Sequence, residues 1–136
     1  MRIALRIGYD ITTMLILKSV YQSVMPYITK DGSEIRELMH PNVQGNTQQS
    51  LAEATIPPGA ETALHLHRRS EEIYYFIAGE GTMRLAGEDI PVRAGDTVAI
   101  PAGTPHNVHN TGLVPMKILC ACAPAYQHDD TVLLDP

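Results

Sequence analysis

The chain has 136 residues, 44% hydrophobic and 18% charged, which suits one globular domain with a core that needs no disulfide staples. Acidic residues outnumber basic ones 15 to 10, for a formal charge of -5. No basic stripe is available to track a phosphate backbone, so nucleic acid is excluded as a partner, and wholesale disorder is excluded by the apolar content.

Met1 to Val20 is apolar with two arginines, yet Gly8, Tyr9 and Asp10 interrupt the run. It is too broken to span a membrane, and no small-residue cleavage site follows it. Met14 offers an alternative start. Residues 1–24 are expected to be an N-terminal extension or dimer arm, with a short helix from Ile11 to Val24 as the one helical expectation. Residues 25–136 form the expected single domain.

Beyond that point glycines and prolines punctuate the chain, ten of each in the whole sequence. Between them lie runs of strand length: Ser33 to His40, Gln48 to Ile56, Thr62 to His67, Glu72 to Ala78, Thr82 to Leu85, Asp89 to Val92, Thr97 to Ile100, His106 to Asn110 and Met116 to Ala123. Many short strands joined by turns predict an all-β sandwich or barrel rather than a βαβ fold. Alternation places Met83 and Leu85 on one face, and Met116, Ile118, Cys120 and Cys122 on the inner face opposite Lys117.

The chemistry concentrates in His65-Leu66-His67, followed by Glu72 and, much later, His106. Residues i and i+2 of a strand share a face, whereas on a helix they diverge by about 200°. A chelating His-x-His pair therefore requires extended backbone. The turn from Arg68 to Ser70 returns Glu72 toward the pair. Imidazoles with one carboxylate suit Fe, Mn, Ni, Zn, Cu or Co better than Ca or Mg.

Here the sequence resembles the cupin superfamily, in its small single-domain form. The first motif runs from Gly59 through five residues to His65, one to His67, four to Glu72 and six to Gly79. The second runs from Gly95 through five to Pro101, one to Gly103, two to His106 and three to Asn110. The resemblance implies an antiparallel double-sheet β-barrel, a jelly roll, holding one divalent transition metal inside with His65, His67, Glu72 and His106. Glu71 competes for the acidic position; Glu72 is favoured by its spacing to Gly79 and by the face it shares with Tyr74 and Phe76.

Gly59 and Gly79 suit turns where φ is positive. Pro101 to Pro105 reads as a rigid turn that delivers His106, and Asn110 as a turn stabiliser. Tyr74, on the face of Glu72, is the candidate for orienting a ligand or moving a proton. No second carboxylate is expected at an inward position. His109 falls on the face opposite His106. Arg68 and Arg69 occupy a turn tip, as solvated charges or as attraction for an anion. His128, Asp129 and Asp130 read as a solvated tail or a lid. Cys120 and Cys122 read as reduced thiols of a cytoplasmic protein.

The strand Glu72 to Ala78 is apolar on both faces, so its outer side, Ile73, Tyr75 and Ile77, predicts a cover, expected to be a second copy in a homodimer. Open positions on the ion predict a metal-dependent enzyme for a small polar molecule: an oxidoreductase of dioxygenase type, an isomerase or a lyase. The alternative is a non-catalytic binding or sensing barrel.

Overall fold

The computed structural model describes the backbone of residues 2–7 and 10–134, with side chains from residue 16 onward. Thirteen strands are formed among the described residues. β1 (Arg2–Ile7) and β2 (Asp10–Leu15) pair as a separate two-stranded ribbon. The helix expected over Ile11 to Val24 is not formed: its first half is β2, and its second half contains a single 3₁₀ turn at Tyr21–Ser23. The run Ile11-Thr12-Thr13 is β-branched, and such side chains lose rotamer freedom in a helix but fit a pleated strand.

Two antiparallel sheets make the body. The larger contains β3 (Tyr27–Ile28), β4 (Glu34–Met39), β5 (Ser50–Ile56), β7 (Glu71–Ala78), β10 (Thr97–Ile100) and β12 (Met116–Ala123), in the order β10-β7-β12-β5-β4-β3. The smaller contains β6 (His65–His67), β8 (Glu80–Leu85), β9 (Glu88–Arg93), β11 (His106–Asn110) and β13 (Thr131–Leu133), in the order β13-β6-β11-β8-β9. The two sheets face each other as a jelly-roll sandwich. Among the described residues no strand ladder joins their edges into a closed cylinder. No described helix is long and apolar enough to cross a membrane.

The core follows from period-two alternation. Phe76, Met83 and Met116 are fully buried, with Ile118, Val108, Ile100 and Ile56 close behind. On β12, Met116, Ile118, Cys120 and Cys122 point inward, as expected. Asn110 is buried without any exposure. Its Nδ2 donates to the carbonyls of Ile56 and Val114, both at 2.9 Å, and its Oδ1 accepts from Gly112 N at 2.9 Å. A turn stabiliser that completes its hydrogen bonds this way is tolerated in a core.

The outer face of the larger sheet carries an apolar band. Ile73, Tyr75 and Ile77 are 44%, 43% and 40% exposed. By register, Ala99, Ile73, Ala121 and Leu51 form one row, and Tyr75 and Leu119 lie in the next. The segment before β3 covers the neighbouring part of this face. Tyr21 donates its hydroxyl to Glu53, and the Arg36 guanidinium lies 4.2 Å from the Tyr21 ring centroid and donates to the carbonyls of Tyr21 and Val24.

One glycine is demanded by close approach. A Cβ on Gly81 would lie 2.1 Å from the His109 carbonyl oxygen and 2.8 Å from Met116 Cε. The clash is with the paired strand's backbone, so a rotamer change cannot relieve it. Gly81→Ala is expected to lower stability by about 3 kcal/mol, at the upper end of overpacking costs. Denaturant titration is the measurement, and an unchanged midpoint would contradict this account.

Candidate metal centre

Three strands and one turn assemble the site. β6 extends its backbone so that His65 and His67 point inward from alternate positions, both buried. β11 pairs beside it with His106 directly opposite His65. The Pro101 to Pro105 turn precedes β11, and its Gly103 adopts φ +77° while its N–H donates to the His67 carbonyl at 2.6 Å. Glu72 comes from the opposite sheet, on β7, so the site straddles the sandwich.

The decisive feature is what each imidazole does with its outer nitrogen. His65 Nδ1–H donates to the Ala63 carbonyl at 2.8 Å, and His106 Nδ1–H to the Thr104 carbonyl at 2.9 Å. His67 Nδ1 meets Thr131 Oγ1 at 3.0 Å. That hydroxyl gives its own proton to the Gln127 carbonyl at 3.0 Å, so it accepts from the ring. All three Nδ1 atoms therefore face acceptors on the outside, which leaves the Nε2 atoms as the ones turned inward, and His67 Nε2 meets Glu72 Oε1 there at 3.1 Å.

The candidate ligand atoms of His65, His67 and His106 lie within 4.8 Å of one another. Glu72 Oε1 is 3.1 Å from His67 Nε2 and 3.4 Å from His106 Nε2. His106 Nε2 is buried and has no hydrogen-bond partner among the described residues. A buried ring nitrogen without a partner is costly unless something fills the place. Three inward Nε2 atoms, with a carboxylate oxygen beside two of them, form a donor set that fits a transition metal ion.

The electrostatics agree. Burial, reinforced by His106, pulls His65 below the usual imidazole value despite the Asp31 carboxylate beside it, which favours the neutral, ligating form. Burial pushes the Glu72 carboxyl up, but the facing rings of His106 and His67 outweigh it and hold the group at about 2. Cys122, raised by burial and by Glu72, remains a thiol and donates to Glu72 Oε2 at 3.3 Å. Both cysteines are free and buried.

Glu71 is exposed, whereas Glu72 is buried. Tyr74 lines the same cavity, with its ring 5.8 Å from that of His106. Burial, with Glu72 nearby, pushes its phenol well above the ordinary range, so it keeps its proton at neutral pH. His109 lies outside the cavity lining, on the strand face opposite His106.

Two sequence expectations need correction. The tail is not merely solvated, because Thr131–Leu133 forms β13 against β6. Asp130 is buried, and its Oδ1 accepts from Arg69 N at 2.9 Å while its Oδ2 accepts from Ser70 N at 3.0 Å. It thereby fixes the turn between His67 and Glu72. Arg69 leans on Asp130 at 3.3 Å with 72% of its side chain exposed, away from the cavity. Finally, a second carboxylate does face inward. Asp31 Oδ2 lies 3.7 Å from His65 Nε2. Asp31-Gly32 reads in the sequence as an ordinary hairpin turn, and nothing in its spacing tells which way such a turn folds.

A double-sheet jelly roll with an inward three-histidine cluster at one end is a defined class of small β-barrel. The chain belongs to the cupin family: residues 52–122 match the cupin domain. An uncharacterized protein of Methanocaldococcus jannaschii is 54% identical over 123 residues, covering 90% of this chain and 98% of that one. An oxalate-binding protein of Thermotoga maritima is 34% identical over 86 residues, 63% of this chain and 71% of that one. Among solved structures, a predicted oxalate decarboxylase from Thermotoga maritima matches with a TM-score of 0.69 at 27% identity, over 81% of this chain and 99% of that one. The polyketide cyclase RemF from Streptomyces resistomycificus matches with a TM-score of 0.75 at 20% identity, over 90% and 87%. The last likeness concerns the fold.

The Asp130 clamp has a pH signature. Burial raises this carboxyl, but the backbone N–H groups of Ser70 and Arg69 outweigh it and hold it below the usual range. A depressed folded value stabilises above the unfolded one, about 3.9, and that stability is lost as pH falls through the folded value. Asp130→Asn is expected to cost about 1–3 kcal/mol at neutral pH and to flatten the acid limb of a stability–pH curve. An acid limb identical to wild type would contradict the clamp.

Proposed function

We propose that this chain is a mononuclear metal-dependent enzyme, with His65, His67, Glu72 and His106 as the protein ligands of one divalent transition ion. The convergence of the three Nε2 atoms, with Glu72 Oε1 beside two of them and every Nδ1 committed outward, carries this reading. Four protein donors leave positions open on an octahedral ion, unlike a closed structural site. The ion, when bound, supplies Lewis acidity, or oxygen chemistry if it is iron. The cavity continues from the cluster between the sheets, past Tyr74, Ile118 and Ala54, to Ile35 and Glu37. It receives a small oxygen-rich molecule, toward which Tyr74 presents its hydroxyl as a donor.

A second reading is favoured by one observation: the Thermotoga relative is named for binding oxalate rather than for a reaction. On that reading the barrel binds or senses without turnover. Elemental mass spectrometry on untagged protein is expected to find close to one equivalent of transition metal in wild type, lost in His67→Ala. The metal found then selects the assays, oxygen consumption for iron and isomerase or lyase substrates otherwise. Turnover abolished by His106→Ala in a folded protein supports the enzyme, whereas ligand binding without turnover supports the sensor. Absence of metal even after reconstitution overturns the metal reading and moves the weight to a metal-free binding barrel.

The apolar band on β7 and its neighbours supports a further part of the proposal: the domain of residues 25–136 pairs with a second copy through the outer face of the larger sheet, beside the arm of residues 1–24. Sedimentation at tens of micromolar is expected to give a dimer, shifted to monomer by Tyr75→Glu. A clean wild-type monomer overturns this part alone.

A further inference from the structure

We infer that Asp31 makes this site selective for a ligand bearing an O–H or N–H group beside its metal-binding oxygen, and selective against dicarboxylate dianions. The inference rests on the metal reading above and narrows the ligand class that it leaves open.

Asp31 sits in the turn between β3 and β4, and that turn is pinned to the opposite sheet. Ala63 N donates to the Asp31 carbonyl at 2.8 Å. Lys30 Nζ donates to the carbonyls of His128 at 3.1 Å and Thr131 at 2.9 Å, and Thr29 Oγ1 meets the Tyr126 hydroxyl at 3.1 Å. Within this frame Asp31 Oδ1 is occupied, accepting from Ser33 N at 3.0 Å and from Ser33 Oγ at 2.7 Å. Oδ2 is left facing the cluster, 3.7 Å from His65 Nε2, too far for a hydrogen bond. An ionised carboxylate accepts and never donates. A ligand atom that reaches Oδ2 from the cavity beside the cluster must therefore bring its own hydrogen.

The charges around the cavity point the same way. Its walls include Asp31, Glu37 and Glu72, and among the described residues no Lys or Arg lines it. Glu37 Oε1 is also buried there without a hydrogen-bond partner, and burial pushes that carboxyl up toward its neutral form, so the charge balance rests on Asp31 and Glu72. Proteins that bind carboxylates ordinarily meet them with Arg forks. Here Lys30 is turned to backbone carbonyls and Arg69 to Asp130. A divalent ion balances the charges of Glu72 and Asp31. A dianion would then leave two uncompensated charges among Ile35, Ala52, Ala54 and Ile118, where burial without a partner is costly. The space is also small: about 50 Å³ is open to water-sized groups, room for about four of them.

The experiment compares glycolate, which carries a hydroxyl beside its carboxylate, with oxalate, which carries none. Both are titrated into cobalt-loaded protein, and the visible absorption bands of cobalt report binding at equilibrium. In Asp31→Asn the Oδ1 atom keeps both Ser33 hydrogen bonds, so Nδ2 takes the place of Oδ2 and an acceptor becomes a donor. The ratio of oxalate to glycolate affinity is expected to rise ten- to a hundredfold in this variant, about one charged hydrogen bond, with cobalt stoichiometry unchanged. A ratio that stays the same or falls overturns the inference and leaves the metal reading standing. Loss of cobalt from Asp31→Asn makes Asp31 a ligand and overturns it as well. Wild type that takes up no cobalt overturns the metal reading, and this inference with it.

Discussion

The site depends on where three imidazole protons go. A neutral imidazole has one donor and one acceptor nitrogen, and which is which follows from the outer partner. Ala63 and Thr104 offer carbonyls, and Thr131 offers a hydroxyl already committed to Gln127. Each of these accepts, so each Nδ1 carries its proton outward and each Nε2 is the atom turned to the cluster. The fold itself holds the three rings in place, so an ion bound among them would cost little further side-chain entropy.

The topology explains how so short a chain achieves this. Order β13-β6-β11 in the smaller sheet puts Thr131, His67 and the His65–His106 pair on adjacent strands. Glu72 reaches across from the other sheet, held at Oε2 by Cys122 from the neighbouring β12. An ion bound by all four would therefore tie the two sheets together, and metal affinity would be coupled to the stability of the sandwich. The Asp130 clamp serves the same end, because the turn it holds sets the reach from His67 to Glu72.

Much of this was legible in the sequence, for a local reason. Period-two alternation and glycine punctuation mark strands β4 to β12, and His-x-His is a strand pattern by geometry alone. The histidine cluster was legible because its members point inward from such strands. What escaped shares one physical feature: its meaning lies in long-range packing. Asp130 looks like a tail charge until β13 docks on β6. Asp31 looks like a hairpin residue until the hairpin folds over the cavity. Ile11 to Val24 looks apolar enough for a helix, but its β-branched start pairs as a strand instead. Local pattern specifies which element forms, and contact between distant elements specifies what it touches.

That division bears on chemistry as well. Structures sharing this fold at about 20% identity include a nucleoside dehydratase and a polyketide cyclase, so the fold leaves the reaction open. The histidine cradle is built from the two motif strands, whose side chains would be constrained by the geometry of a bound ion. The rest of the cavity wall is built elsewhere, from the β3–β4 hairpin with Asp31 and Glu37 and from Tyr126 near the C-terminal end. These residues stand outside any coordination constraint, so on the proposed reading it is they that would decide which molecule reaches the ion and with what charge. In this chain that wall is acidic and small. On the proposed reading its discrimination would operate through hydrogen-bond polarity and charge rather than through shape, set by residues outside the two histidine motifs.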